Sequence, residues 1–482
     1  MVPLKMFNIT SNSGLIHISS DDYYLRPRIW PVDVSTVMKK VKEQQTDDGI
    51  TLLIETQSCD IKGAFELCKR LDEEKIKAKV VLKGCCGSFA TVLALWADSV
   101  SMLTGALCLP IDPTYPIHGY PSVFDPLSSV PRYLNPAEFE SLFSFLEKEV
   151  PRHSQELHHE IVLSVGSNKL EEAEKRCEVI RDRIKNLMRQ KNLNRFEEFA
   201  HFITSDCGSF EHWISRRKLE DFGIEVSEEP SFPKCGEVKP IILFPDLQGG
   251  FEKKLEVQYQ KIADLLNTHV LVIGKNGTMD FNLLKICSDL LWSNRNSFGN
   301  KNLTVLLDSY GGSEPNAFAL TEVLKDYFPQ YQVVVTQDAR SSAALFCICS
   351  PKVFYRKSSV FGCFGQSIAD YSRSGLNISE SFIREGLKKV TSEEARLQLI
   401  RNLFKVIHPI QIGQVLRAGS LVRELVTEVN QGKIAPNALD FFTREIYPHS
   451  YPLTPKEVAD LLPLNNFVEV SPELEGLLRK IS

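Results

Sequence analysis

Two short stretches hold the residue types of an acyl-transfer site. One is Leu306-Leu307-Asp308-Ser309-Tyr310-Gly311-Gly312-Ser313, and the other runs from Val333 through Asp338-Ala339-Arg340-Ser341-Ser342 to Ala343-Ala344. A hydroxyl nucleophile beside a backbone N–H donor is the minimum needed to attack a carbonyl and hold the oxyanion that forms. Gly311 and Gly312 can turn a bare N–H toward a ligand, because no Cβ stands in the way. Ser341 falls where an apolar run gives way to a helix-compatible one. Its hydroxyl would therefore sit among the unsatisfied N–H groups at the positive end of a helix dipole.

The elements that must position these residues are buried strands. Val333-Val334-Val335 and Leu306-Leu307 lack polar alternation, the pattern of strands covered on both faces in a parallel sheet. An earlier part of the chain repeats the layout. Thr56 precedes Ser309, and Ser88 precedes Ser341, by the same 253 positions. Residues 51–101 lie on residues 304–354 without a gap, pairing Val80-Val81 with Val333-Val334 and Leu67 with Leu320. A fixed offset across two strand-turn-helix units signals internal duplication. Alternating strand and helix predicts α/β units with largely parallel sheets and right-handed crossovers.

The motif Asp308-Ser309-Tyr310-Gly311-Gly312-Ser313, upstream of a small-residue Ser turn, resembles the Clp/crotonase superfamily of serine peptidases. The run Ser350-Pro351-Lys352-Val353-Phe354-Tyr355 through Ser358-Ser359-Val360-Phe361-Gly362 is similar to a stretch of signal peptide peptidase A. This resemblance implies two tandem Clp/crotonase-like ββα-spiral domains, over residues 1–230 and 237–482. It implies Ser341 as nucleophile, with oxyanion N–H groups from Gly311 or Gly312 and from Ser342. Signal peptide peptidases use a Lys base, whose amine must be desolvated to lose its proton. The candidates are Lys388 and Lys389, just ahead of Thr391-Ser392-Glu393-Glu394-Ala395-Arg396. A base from the first copy is a further option in tandem members. No His lies between His269 and His408, which speaks against a local Ser–His pair. The implied substrate is a peptide or unfolded protein, the implied assembly a homo-oligomer, and no cofactor or metal is called for.

The first copy resembles the serine dehydrogenase proteinase family through Ala94-Leu95-Trp96-Ala97-Asp98 and Leu109-Pro110-Ile111-Asp112-Pro113. Ser88 falls on that family's Ser. Upstream, however, Gln57-Ser58-Cys59 stands where the family has a Gly-Gly pair, so Ser88 reads as a vestigial nucleophile position at a helix start.

Composition bounds the rest. At 482 residues, with 43% hydrophobic and 24% charged residues, the chain is long enough for two globular cores. A net charge of −5 gives no reason to expect nucleic-acid binding. No apolar run reaches the roughly 18 residues that span a bilayer, and the first residues lack a signal-peptide core, so a cytoplasmic location is expected. The twelve cysteines show no paired Cys-x-x-Cys spacing and read as buried thiols. Amphipathic helices are expected over 136–195 and 380–413 and would supply contacts between copies. A linker is expected at 227–236, where Pro230, Pro233 and Gly236 cluster. Two other functions stay open: a catalytically inactive scaffold, and a crotonase-type acyl-CoA enzyme using the same N–H pair.

Overall fold

The Val- and Leu-rich runs form the centres of two parallel sheets. The computed structural model describes residues 8–12, 15–19, 33–46, 49–56, 60–111, 115–117, 132–134, 136–165, 167–190, 195–206, 213–228, 239–245, 253–274, 277–363, 367–369, 377–407, 409–430, 442, 452–461 and 466–481. In chain order the first part gives β1 (Asn8–Asn12), β2 (Leu15–Ser19), α1 (Val34–Gln44), β3 (Ile50–Glu55), α2 (Ile61–Glu73), β4 (Ala78–Leu82), β5 (Cys85–Cys86), α3 (Ser88–Trp96), β6 (Ser99–Met102) and β7 (Leu107–Cys108). A two-stranded ribbon of β8 (Tyr115–Ile117) and β9 (Arg132–Leu134) follows. Next come α4 (Pro136–Glu149), α5 (Ser154–Val165), α6 (Ser167–Gln190) and α7 (Phe196–His201). This part closes with β10 (Ile214–Ser215), α8 (Arg216–Asp221) and β11 (Val226–Glu228).

The first sheet has the order β1-β2-β3-β4-β6-β11 and is parallel except for the β1–β2 hairpin. A separate small sheet has β7 flanked by β5 and β10. Strand β11 takes up Ser227 and Glu228, the first two residues of the expected linker, because they pair with Ser101 and Met102 of β6. The rest of that linker lies outside the described residues.

The second part gives β12 (Ile242–Leu243), α9 (Lys253–Leu266), β13 (Thr268–Ile273), α10 (Phe281–Asn294), β14 (Asn302–Ser309), α11 (Glu314–Tyr327), β15 (Gln332–Ala339), α12 (Ser342–Cys349), β16 (Lys352–Tyr355) and β17 (Val360–Gly362). It continues with β18 (Ser367–Ala369), β19 (Asn377–Ser379), α13 (Glu380–Lys388), α14 (Glu393–Val406), α15 (Pro409–Asn430), β20 (Pro452–Leu453) and β21 (Phe467–Glu469). Its sheet runs β12-β13-β14-β15-β16-β21 in parallel, with β17 added parallel to the end of β15 and β20 antiparallel to β17.

The central strands of the two sheets share order and pairing register. Leu52 pairs with Val80 as Val305 pairs with Val333, and Val80 with Val100 as Val333 with Val353. Cys85 pairs with Leu107 as Asp338 pairs with Val360. In each case both partners shift by the 253 positions seen in the sequence. The flanking strands differ: Leu15 pairs with Thr51 but Thr268 with Asn302, two residues short of the offset, and β1 is antiparallel to β2 while β12 is parallel to β13. The helices after β3 and β14 also start that far apart, at Ile61 and Glu314. Asp60 caps the first of them, its carboxylate accepting from Gly63 N–H at 2.9 Å, and Ser313 with Pro315 opens the second.

The parts meet along buried contacts. Trp213 Nε1 donates to Asn316 Oδ1 at 2.9 Å and its indole stacks on Phe281. Tyr327 O–H donates to the Thr104 carbonyl at 2.9 Å, and Asp326 accepts from Gly105 N–H at 3.0 Å. The amphipathic helices of both parts also share one core. Phe139, Leu142, Leu146 and Leu157 pack with Ile383, Leu387, Ile400 and Leu416. Apolar faces of these helices thus pack against one another within the chain. Helix over 380–413 is interrupted: α13 stops ahead of the Ser392 cap of α14, and α15 starts again at Pro409. None of the described helices is long and apolar enough to cross a membrane.

Candidate active site

The strand-to-helix turn after β15 carries an unusual backbone. Ser341 has φ 51° and ψ −128°, and Ser342 begins α12. Three non-glycine residues among those described have positive φ. Lys75 and Asn267 follow helix ends, where left-handed residues are common. Ser341 precedes a helix, and its ψ lies far from the left-handed helical well. Such a conformation costs about 1–3 kcal/mol and persists only where its surroundings enforce it.

Two glycines enforce it. Gly311, with φ 98°, lies so close that an added Cβ would stand 2.6 Å from Ser341 Cβ and 3.0 Å from Ser342 N. Gly362, at the end of β17, approaches from the other neighbouring strand, where a Cβ would meet Arg340 Cα at 3.1 Å and Ser341 N at 3.2 Å. Arg340 N–H donates to the Ser309 carbonyl at 3.0 Å, while the Arg340 and Ser341 carbonyls accept from Ala343 and Ala344 and so start the helix. The turn is clamped between β14 and β17 and cannot relax without moving both.

The donors near Ser341 follow from the same contacts. Gly311 N–H donates to Ser309 Oγ at 3.1 Å, and that hydroxyl donates to the Gly277 carbonyl at 2.6 Å. Met279 N–H donates to the Gly311 carbonyl and Ser313 N–H donates to the Met279 carbonyl, a bridge that passes over Gly312. A Cβ on Gly312 would lie 2.7 Å from the Met279 carbonyl oxygen. Gly312 N–H has no partner among the described residues, and neither does Ser342 N–H at the first position of α12. Of the two glycines, Gly312 is therefore the one whose N–H is unengaged. The Ser342 hydroxyl is buried and unpartnered, so what this residue has to offer a ligand is its backbone N–H.

One guanidinium and two carboxylates stand around the turn. Arg340 Nε donates to Asp338 Oδ1 at 2.7 Å, and its guanidinium lies 5.5 Å from the Tyr310 ring centroid. Asp308 Oδ1 accepts from Asp338 N–H at 3.2 Å and ties β14 to β15. The positive end of α12 adds positive potential at Ser341.

No base touches Ser341 among the described residues. Ser341 is half-buried, and its hydroxyl has no hydrogen-bond partner among the described residues. Lys388, at the end of α13, and Lys389 are both exposed. Cys363, where the Clp pattern would place a His, is buried, which pushes its thiol up to about 11. A thiol held protonated that firmly does not accept a proton.

The equivalent turn in the first part is built differently. Gly87, with φ −79° and ψ 178°, caps α3, and Ser88 is already helical. Ser88 is 1% exposed, and its hydroxyl donates to the Pro110 carbonyl at 2.5 Å. Residues 57–59, the departure from Gly-Gly, lie outside the described residues. The sequence does not mark out Gly362 or Met279 for the site, because the first reaches it from β17 and the second from the connection ahead of α10. Gly362 closes the Ser358-Ser359-Val360-Phe361-Gly362 run, and a glycine in a strand is itself a signal of close backbone approach.

No family model matches the chain, and no curated protein matches it. Among solved structures it is similar to ClpP1 from Listeria monocytogenes, at 15% identity and a TM-score of 0.28, over 44% of this chain and 99% of that one. A mutant of the same ClpP1 matches at 16% identity and a TM-score of 0.27, with the same coverage.

Proposed function

We propose that the chain is a serine peptidase built from two tandem Clp/crotonase-type units, residues 1–230 and 237–482, with its working site in the second. The observation that carries this reading is the strained Ser341 backbone, held by Gly311 and Gly362 at the mouth of α12. Folds keep such strain where it serves a function. Ser341 Oγ attacks the carbonyl of a peptide, and Gly312 and Ser342 N–H groups receive the oxyanion. The proton passes to Lys388 or Lys389 once substrate covers the site and desolvates the amine, since contacts to a base are often long before substrate binds. Substrates are peptides or unfolded protein segments, and the chain works as a homo-oligomer. Buried thiols such as Cys86, Cys287 and Cys347 suit the reducing cytoplasm.

A second reading, a non-catalytic scaffold, draws support from the absence of any hydrogen-bond partner on the Ser341 hydroxyl among the described residues. Fluorophosphonate labelling separates the two. The peptidase reading expects one adduct, on Ser341, and its weakening in Lys388→Ala or Lys389→Ala. An unlabelled chain that also leaves unfolded protein intact would establish the scaffold instead.

A further inference from the structure

The residue before Ser341 carries a cation that the fold fixes but does not exhaust. Arg340 Nε is held by Asp338 at 2.7 Å, and Tyr310, itself 51% exposed, lies 5.5 Å from the guanidinium carbon. These two partners take the Nε edge and one face. Among the described residues, neither terminal amino group of Arg340 has a hydrogen-bond partner, and the side chain stays 31% exposed. The open end is the two-pronged edge that matches a carboxylate with two parallel N–H···O bonds. Asp338 offsets much of the net charge, so what remains is directional hydrogen bonding rather than a general attraction for anions. Fixing Nε also removes much of the rotamer freedom that an Arg would lose on binding.

We propose that Arg340 is a specificity-determining residue and that the Ser341 site takes peptides presenting a carboxylate beside the bond to be attacked. That carboxylate is an Asp or Glu side chain or a free chain terminus. The inference takes only its location from the peptidase reading, and it is testable without turnover. Hydrogen bonds to a charged partner are strong enough to make the preference roughly 10- to 100-fold.

The experiment uses the full chain carrying Ser341→Ala and fluorescent peptides that differ at one central residue, Asp, Asn or Lys. Each peptide is made with a free and with an amidated C-terminus. Anisotropy should show the carboxylate-bearing peptides binding tighter than the neutral and basic ones, with the Asp and free-terminus arms telling the two sources apart. Adding Arg340→Gln should erase the difference. Arg340→Lys, which keeps the charge and loses the fork, should erase most of it; a thermal melt checks that each variant is folded. Equal affinities, a preference that survives both substitutions, or no binding of any peptide would overturn the proposal. Labelling of Ser341 in the wild-type chain is scored separately. A carboxylate preference with an unreactive Ser341 retires the peptidase reading alone, and a reactive Ser341 without the preference retires this inference alone.

Discussion

The turns at Gly87-Ser88 and Arg340-Ser341 stand at matching points of two sheets whose central strands pair in the same register, yet they do opposite things with a serine. In the first, glycine takes the cap, the helix begins at Ser88, and the hydroxyl turns inward to the Pro110 carbonyl. In the second, the helix begins one residue later, and Ser341 is held at positive φ with its hydroxyl unengaged. The strands leading in differ too. Strand β15 continues unbroken to Ala339, whereas its counterpart divides into β4 and β5 around Gly84, at φ 62°. The central strands of a parallel sheet can thus keep their pairing while the turn that follows changes from one that engages its serine hydroxyl to one that does not.

The sharpest way to break this contrast is to remove each hydroxyl. Ser341→Ala should lower hydrolysis of an unfolded protein by ~10⁴-fold or more, as expected for loss of a nucleophile, and abolish serine-directed labelling. Ser88→Ala should leave both within about twofold, because a serine that is 1% exposed cannot reach a substrate. Loss of activity in Ser88→Ala, with Ser341→Ala active, would reverse the assignment of the two turns.

Glycines near each turn give the next largest effect. Gly311→Ala places a methyl 2.6 Å from Ser341 Cβ and from the Arg340 carbonyl oxygen, on a residue at φ 98°. The turn must shift, and a displaced donor costs on the order of 100- to 1,000-fold in rate. Gly84→Ala, where an added Cβ meets nothing within 4 Å, bears only the backbone penalty of about 1 kcal/mol. Steady-state kinetics beside thermal melts should show Gly311→Ala losing far more activity than Gly84→Ala. Equal rates in the two variants would mean that Gly311 does not hold the site.

Stability should respond to the serines in opposite directions. Ser341→Gly relieves the positive φ, and after the entropy cost of glycine it should gain roughly 1 kcal/mol while losing activity. Ser88→Ala strands the buried Pro110 carbonyl and should lose about 1–3 kcal/mol. Denaturant unfolding measures both. A Ser341→Gly chain no more stable than wild type would remove the strain on which the functional reading rests.

Much of this was legible in the sequence, and the remainder was hidden for identifiable reasons. Strand β4 follows directly from the apolar run at Val80-Val81, and the 253-residue offset carries into the pairing of the central strands. The one-residue difference in helix start was hidden, because Gly311 and Gly362 impose it from strands distant in sequence. Amphipathic spacing in Phe139, Leu142 and Leu146 announces an apolar face without saying that Ile400 and Leu416 cover it. Ser227 and Glu228 sit beside Pro230 and read as linker, but pairing with Ser101 and Met102 makes them strand. The site divides the same way: Ser341 and the Gly-Gly pair stand out by type and spacing. The engagement of Gly311 N–H by Ser309, which leaves Gly312 as the open donor, is a tertiary fact.

The smallest expected contrast is in acid, where the sheets should loosen at different pH. His269, in β13, is buried; its Nδ1 accepts from Ile241 N–H and its Nε2 lies 2.7 Å from the Phe298 carbonyl. Burial depresses its pKa from the usual 6.5, which outweighs the opposing bond to Phe298. Between the unfolded and folded values the unfolded chain binds more protons, so this contribution is present above about pH 6.5 and fades as the pH falls toward the folded value. In the first sheet, Glu55 at the end of β3 is pushed up by burial, but bonds from His17 and Lys83 prevail and hold it below its usual 4.5. Its contribution is present above that value and fades only as the pH falls through the lower folded value. Hydrogen exchange at pH 7, 5.5 and 4 should therefore show protection falling first in β13 and later in β3. His269→Gln should remove the β13 step while leaving the β3 step in place. Simultaneous loss in both sheets would mean that the two parts unfold as one cooperative unit, as their shared helical core and the Trp213–Asn316 contact would then explain.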